Sequence, residues 1–214
     1  MPKLQRLFSI TTRLLYLVLA LGVANYAVSY LFRFPNPLNS FDMNFAALRS
    51  LAVPGHFFLG ALALALTPIQ MSSFVRRRWP AIHRLSGLLY VLAVFLGGVS
   101  ALRLAPDALF GNATQLGFVV LAILWLSFTA YAWQRILVRD YAGHGRWMYR
   151  SIALTASAIT LRVILGIGVP LAGLPMATVY PIAAWACWPI NLVVCEWLLR
   201  RPSGKRSVSF PQSA

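Results

Sequence analysis

The chain has 214 residues, of which 59% are hydrophobic and 11% charged, with a mean hydropathy of +0.71. Nineteen lysines and arginines stand against four acids, a net charge of +15. That composition excludes an ordinary soluble domain. The bases fall in short segments between long apolar runs, which is how topology signals are distributed, so nucleic acid is not an expected partner.

A basic start (Lys3, Arg6, Arg13) leads into an apolar run over 14–32, long enough to cross a bilayer. A cleavable signal peptide with small residues at Ala24 and Ala27 is the alternative. It would leave the basic C-terminus on the outer side, so the run is read as a first span. Five further spans follow at about 49–72, 81–104, 114–137, 147–169 and 176–199.

Bases flank alternate loops: Arg76, Arg77, Arg78 and Arg84 at the second, Arg135, Arg139, Arg146 and Arg150 at the fourth, and Arg200, Arg201, Lys205 and Arg206 after the last. The expected fold is therefore an all-α integral membrane bundle of six transmembrane helices in the plasma membrane, both termini cytoplasmic. Residues 1–201 form one domain and 202–214 a polar, disordered cytoplasmic tail. The lipid bilayer is a partner throughout, and Arg76 to Arg78 are expected to meet anionic lipids at the cytoplasmic face. Cys187 and Cys195 lie eight residues apart on one expected helix, about 12 Å by helical rise and too far for a mutual disulfide.

Ionisable groups inside spans are costly and mark candidate sites. On a helical wheel Ser151, Thr155, Ala158 and Arg162 share one face of the fifth span. On the second span His56, Gly60, Ala63, Thr67 and Gln70 share another, and the two stripes are expected to meet. His56 lies about 10 Å below the outer edge and Arg162 about 8 Å, so the two are level. Arg103 and Tyr180 are expected at the mouth of this outer pocket. No acid on another span reaches the depth of Arg162, with Asp42 and Asp107 in loops and Glu196 at the opposite end. Its partner is then a backbone carbonyl, a loop acid folded inward or a bound anion. A second cluster gathers His83, Arg84, His144, Arg146, Arg150, Glu196 and Gln70 at the cytoplasmic side.

Four runs, HRLSGLLY from His83, LWLSFTAY from Leu124, HGRWMYRSIALTASAITLR from His144 and AWACWPINLVVCEWLLR from Ala184, carry a resemblance. Together they make the chain similar to a bacterial family of predicted membrane proteins, numbered 2306 among the domains of unknown function, from about His56 to Arg201. The family pattern tends to have a second basic residue after the loop histidine, where this chain has Gly145. The resemblance implies a compact multi-span helical unit and carries no activity.

Three functions fit these residues. The first is electron transfer through haem b, with His83 and His144 as axial ligands and Arg84 and Arg150 on the propionates. The second is a transporter or binding protein for an anionic or quinone-like small molecule, with a pocket drawn from His56, Arg162, Gln70, Thr155, Asn191 and Glu196. The third is a metalloenzyme on His83, His144 and Glu196, opposed by the surrounding arginines and by the lack of a local metal motif. Haem is the most concrete, and no catalytic residue is assigned.

Overall fold

A computed structural model describes residues 2–38, 40–47 and 50–200, with side chains from Ile10 onward except those of Ser40 and Ala47. The expected tail at 202–214 and the side chains of Lys3, Arg6, Arg49 and Arg201 lie outside the described residues. Among the described residues there is no strand. Six helical stretches are long and apolar enough to cross a membrane: Ile10–Leu31, Ala52–Met71, Pro80–Asp107, Asn112–Leu137, Tyr141–Gly168 and Met176–Arg200.

The first belongs to α1 (Pro2–Leu31), and the loop after it carries a short helix α2 (Ser40–Ala47). The second span is α3 (Ala52–Met71), where Ser50 Oγ accepts from Ala52 N at 3.1 Å and Pro54 sits in the first turn, which lacks helical acceptors anyway. Ser72 ends α3 and caps α4 (Ser73–Arg78), its hydroxyl accepting from Val75 N. Pro80 opens α5 (Pro80–Leu104), and a 3-10 turn, Ala105–Asp107, follows. Gly111, at φ 88°, supplies the left-handed backbone that starts α6 (Asn112–Leu137). Asp140 caps α7 (Tyr141–Thr155) by accepting from Gly143 N at 2.8 Å.

The fifth span is not one continuous helix. It breaks at Ala156 and resumes as α8 (Ser157–Gly168). Asn191, on the last helix α9 (Met176–Arg200), donates from Nδ2 to Ala153 O at 3.1 Å. That carbonyl is the one Ser157 N–H would take in an unbroken helix, and an inserted side chain interrupts the ladder. Thr155 Oγ1 adds a bond back to Ser151 O, a pattern that bends helices. Asn191 Oδ1 then accepts from Thr160 on α8, so one side chain bridges both halves.

Side-chain bonds fix the spans as antiparallel neighbours. Tyr16 near the start of the first span bonds Thr67 near the end of the second, His56 bonds Gly97 O across α3 and α5, and His144 bonds Ala132 O across α6 and α7. The helices form a ring in the order α1, α3, α5, α6, α9, α8, with α7 packed inside it against α6, α9 and α3. The core joins Ala63, Tyr90, Val94, Trp125, Met148 and Ile152, from four spans. Outside, Leu14, Val18, Leu92, Leu96 and Val193 are exposed, the apolar face a bilayer solvates.

Close approach depends on small residues where helices cross. A Cβ on Gly97 would meet Leu59 Cβ at 3.1 Å, and one on Gly117 would meet Ala184 at 3.3 Å. Helix α3 packs more on α5 and α1 than on the fifth span, so the His56 stripe and the fifth-span stripe meet only in part. A helical wheel gives the face a helix offers but not the neighbour that covers it.

Candidate functional site

A cavity of about 690 Å³ lies inside one end of the bundle, walled by all six spans and roofed by α2. His56 and Arg162 both line it, together with Thr155 and Ala158 of the fifth-span stripe and Gly60 of α3. The break at Ala156 helps to make this wall. Ser157 and Ala158 lie just past it and face the cavity, and Arg162 Nη1 donates back to Ala158 O at 2.8 Å.

Arg162 is a cation with no counter-ion among the described residues. Among the described residues no carboxylate oxygen lies within 4.0 Å of it. Its other neighbour is the ring of Tyr26, whose centroid lies 5.5 Å from Cζ, a cation–π contact. One carbonyl and one ring leave most of the five guanidinium N–H donors uncommitted. His56 is similarly half-committed. Its Nδ1 lies 3.1 Å from Gly97 O, and since a carbonyl only accepts, Nδ1 carries the proton. That leaves Nε2 free to accept in the neutral ring.

A loop acid does fold inward, though not onto Arg162. Asp42 is on α2 rather than in irregular loop, is 2% exposed and lines the cavity. Its Oδ1 accepts from the Tyr30 hydroxyl and its Oδ2 from Asn36 N at 2.9 Å. Both oxygens are thus held by local donors, and the acid ties the loop down. Tyr26, Tyr30 and Asp42 were not among the residues expected here. The signal was present for two of them: Val23, Tyr26, Ala27 and Tyr30 recur at helical spacing and all line the cavity.

Several expected pocket residues are elsewhere. Gln70 bonds His83 O at 3.0 Å and Ser86 Oγ at 2.7 Å, at the far end of α3. Asn191 is committed to the helix break. Glu196 is paired with Arg150 on α7. None of the three lines the cavity, and neither does Arg103, which is paired with Asp107 at 2.8 Å; Tyr180 does line it. Polar side chains in a bundle find partners first among the helices beside them, which spacing along one chain does not reveal.

At the other end, His144 Nδ1 lies 2.9 Å from Ala132 O, while His83 Nδ1 is buried with no hydrogen-bond partner among the described residues. Arg84 is exposed, and Arg150 is engaged by Glu196 through two nitrogens. Neither histidine lines the cavity. Among the described residues no three His, Cys, Asp or Glu side chains come together to hold a metal ion, so the set of His83, His144 and Glu196 does not form. Both cysteines are buried and free.

Six apolar spans in a ring, with an arginine that has no counter-ion among the described residues facing a cavity, define a multi-span helical membrane protein. The chain belongs to the family of predicted membrane proteins designated DUF2306, which it matches over residues 53–199. That stretch carries His56, His83, His144, Arg162 and Glu196, whereas the α1 and α2 walls of the cavity precede it. No curated protein and no solved structure matches the chain.

Proposed function

We propose that this protein binds a small molecule with a negatively charged or carbonyl-bearing, quinone-like head inside its membrane domain, at the cavity lined by His56 and Arg162. One observation carries the reading: Arg162 faces the cavity within a span, and among the described residues no acid lies beside it. A charge held within a bilayer is retained where it has a use, and a guanidinium with spare donors suits a carboxylate, a phosphate or a polarised carbonyl oxygen. His56, level with it, adds a ring nitrogen that can accept from or, once protonated, donate to the same head group. The exposed arginines Arg76, Arg77, Arg78, Arg135, Arg139 and Arg146 cluster toward the opposite end, which favours a plasma-membrane orientation with that end inside and the cavity toward the outer face.

The test is native mass spectrometry of protein purified in mild detergent, wild type against Arg162→Leu. A co-purifying anionic or quinone-like molecule present on the first and missing from the second is expected. The same adduct at equal occupancy on both would remove the reading.

Haem b between His83 and His144 is the second reading. It is favoured by the Nδ1 contact of His144 to a backbone carbonyl, the arrangement that frees Nε2 for iron. Against it stand the lack of any partner for His83 Nδ1 and the commitment of Arg150 to Glu196. Oxidised and dithionite-reduced spectra after expression with haem supplied decide it, since a Soret band lost in both His83→Ala and His144→Ala would restore electron transfer.

A further inference from the structure

We propose that the ligand is a membrane-dissolved amphiphile, an anionic head on an apolar tail, and that it reaches the cavity sideways from the lipid, between α1 and α8. The inference rests on the reading of the His56 and Arg162 cavity as a head-group site and adds the source and shape of the ligand.

The watery end of the cavity is covered. Helix α2 lies over it, tied on one side by Asp42 to Tyr30 and on the other by Asn44 Nδ2, which donates to Asp107 O at 2.7 Å. Phe41 of α2 packs its ring against Phe110 and Tyr180, with centroids 5.7 and 5.1 Å away. A strap anchored at both edges and filled with aromatics is a poor door for a hydrated anion.

The side wall is thinner. Helix α1 is held to the bundle mainly through α3, and its approach to α8 is the slightest closure in the ring of spans. The seam is sealed where Ala20, Leu64 and Ile159 pack together. Beyond that seal, Val23 and Tyr26 on α1 and Ala158, Leu161 and Arg162 on α8 all line the cavity. Tyr26 makes the point directly. It lines the cavity, is 55% exposed, and lies over Arg162. On the α1 side of the seam, its ring is what covers the guanidinium.

Size and lining agree with a tailed ligand. A volume of about 690 Å³ is far more than a carboxylate or phosphate head occupies and falls among sites for drug-sized molecules. Its walls away from Arg162 and His56 are mostly apolar, with Phe57, Leu64, Leu121 and Leu165 among them, and the Asp42 carboxylate there is held by Tyr30 and Asn36. An amphiphile already in the bilayer keeps its tail in hydrocarbon throughout, and its head exchanges interfacial water for Arg162. A water-soluble anion would have to shed its hydration and then leave these apolar walls uncovered.

The experiment uses the full chain in nanodiscs of phosphatidylcholine. The probe is a long-chain fatty carboxylate carrying a diazirine on its tail, with palmitate, butyrate and a long-chain neutral quinone as competitors. Expected are labelled peptides from 23–30 and 158–165, competition by palmitate and none by butyrate. Labelling should fall about tenfold or more in Arg162→Leu, the loss expected when a charge-assisted contact is removed. Gly60→Leu should do the same with every charge kept, because a Cβ at Gly60 meets nothing within 4 Å and the side chain can enter the cavity. Butyrate competing as well as palmitate would overturn the amphiphile and leave the anion site standing. Displacement by the quinone but not by palmitate would overturn the anionic head. Labels confined to α5 and α6 would overturn the lateral route. No competable labelling and no butyrate binding would remove both the inference and the reading beneath it.

Discussion

Arg150 and Glu196 join the middle of the fifth span to the end of the sixth through two parallel contacts, Nε to Oε1 at 2.5 Å and Nη2 to Oε2 at 3.2 Å. The Arg150 guanidinium also lies over the ring of Trp147, 4.6 Å from its centroid. The fork geometry is the strong form of an ion pair, but the Glu196 side chain is 34% exposed, which discounts it. A double-mutant cycle of Arg150→Met and Glu196→Gln, read by thermal unfolding in detergent, should give a coupling of about 0.5–1 kcal/mol. A coupling of zero would mean the contact is decoration on α7 and α9 rather than a clamp.

Tyr90 is fully buried, and its hydroxyl meets Ser151 Oγ at 2.8 Å and Thr155 Oγ1 at 2.7 Å. Trp125 Nε1 donates to the same Thr155 oxygen at 2.9 Å, and Thr129 lies 2.6 Å from Ser151 Oγ. Because Ser151 and Thr155 keep these other partners, Tyr90→Phe leaves no orphaned hydroxyl and should cost only about 1 kcal/mol. Tyr90→Ala empties a core site shared by four spans and should cost about 3–5 kcal/mol. Melting temperatures of the two variants in the same detergent check the order. If Tyr90→Phe is as damaging as Tyr90→Ala, the hydroxyl network rather than ring packing holds this core.

Much of this architecture is legible in the residues themselves, for physical reasons that also mark the limit. Bilayer thickness sets span length, so apolar runs locate the six helices, and a fixed rise per residue puts His56 and Arg162 at one depth. Both line one cavity. Partner choice was legible only in part. Glu196 meets Arg150 and Gln70 meets His83 O, contacts within the cluster expected at that end, but the bond of Gln70 to Ser86 and that of Asn191 to Ala153 join helices whose adjacency no wheel encodes. The break at Ala156 is set by a side chain 35 positions later in sequence (191 − 156), with neither proline nor glycine to announce it. Asp42 reads as a loop acid because its burial depends on how the connection after α1 folds back over the bundle.

That fold-back depends on Asp42, whose two oxygens serve Tyr30 and Asn36. Asp42→Ala leaves the Asn36 N–H and the Tyr30 hydroxyl to find other acceptors, a loss of about 1–3 kcal/mol concentrated on this loop. The spans have their own packing, so the damage should stay local. Hydrogen exchange followed by mass spectrometry should show 36–47 losing protection while peptides within α5 and α6 keep theirs. Uniform loss across the spans would mean that the α2 strap supports the whole bundle.

Arg162 separates binding from folding. Among the described residues its hydrogen bond goes to Ala158 O in its own helix, and its ring contact is with Tyr26. A leucine there removes a charge held within the membrane and breaks no tie to another helix except that ring, so it should be neutral or stabilising by about 1–2 kcal/mol. Arg77, which is exposed, is expected to tolerate alanine within about 0.5 kcal/mol. Arg162→Lys keeps a charge but not the planar fork, and should bind an anionic ligand less well than wild type and better than leucine. Membrane-fraction yield, thermal unfolding and ligand retention are measured on the same preparations. Wild-type yield and unfolding with ligand lost in Arg162→Leu is the expected pattern. If that variant instead unfolds several degrees early, the arginine belongs to the scaffold, and the cavity beside it has lost the cation that argues for an anionic occupant.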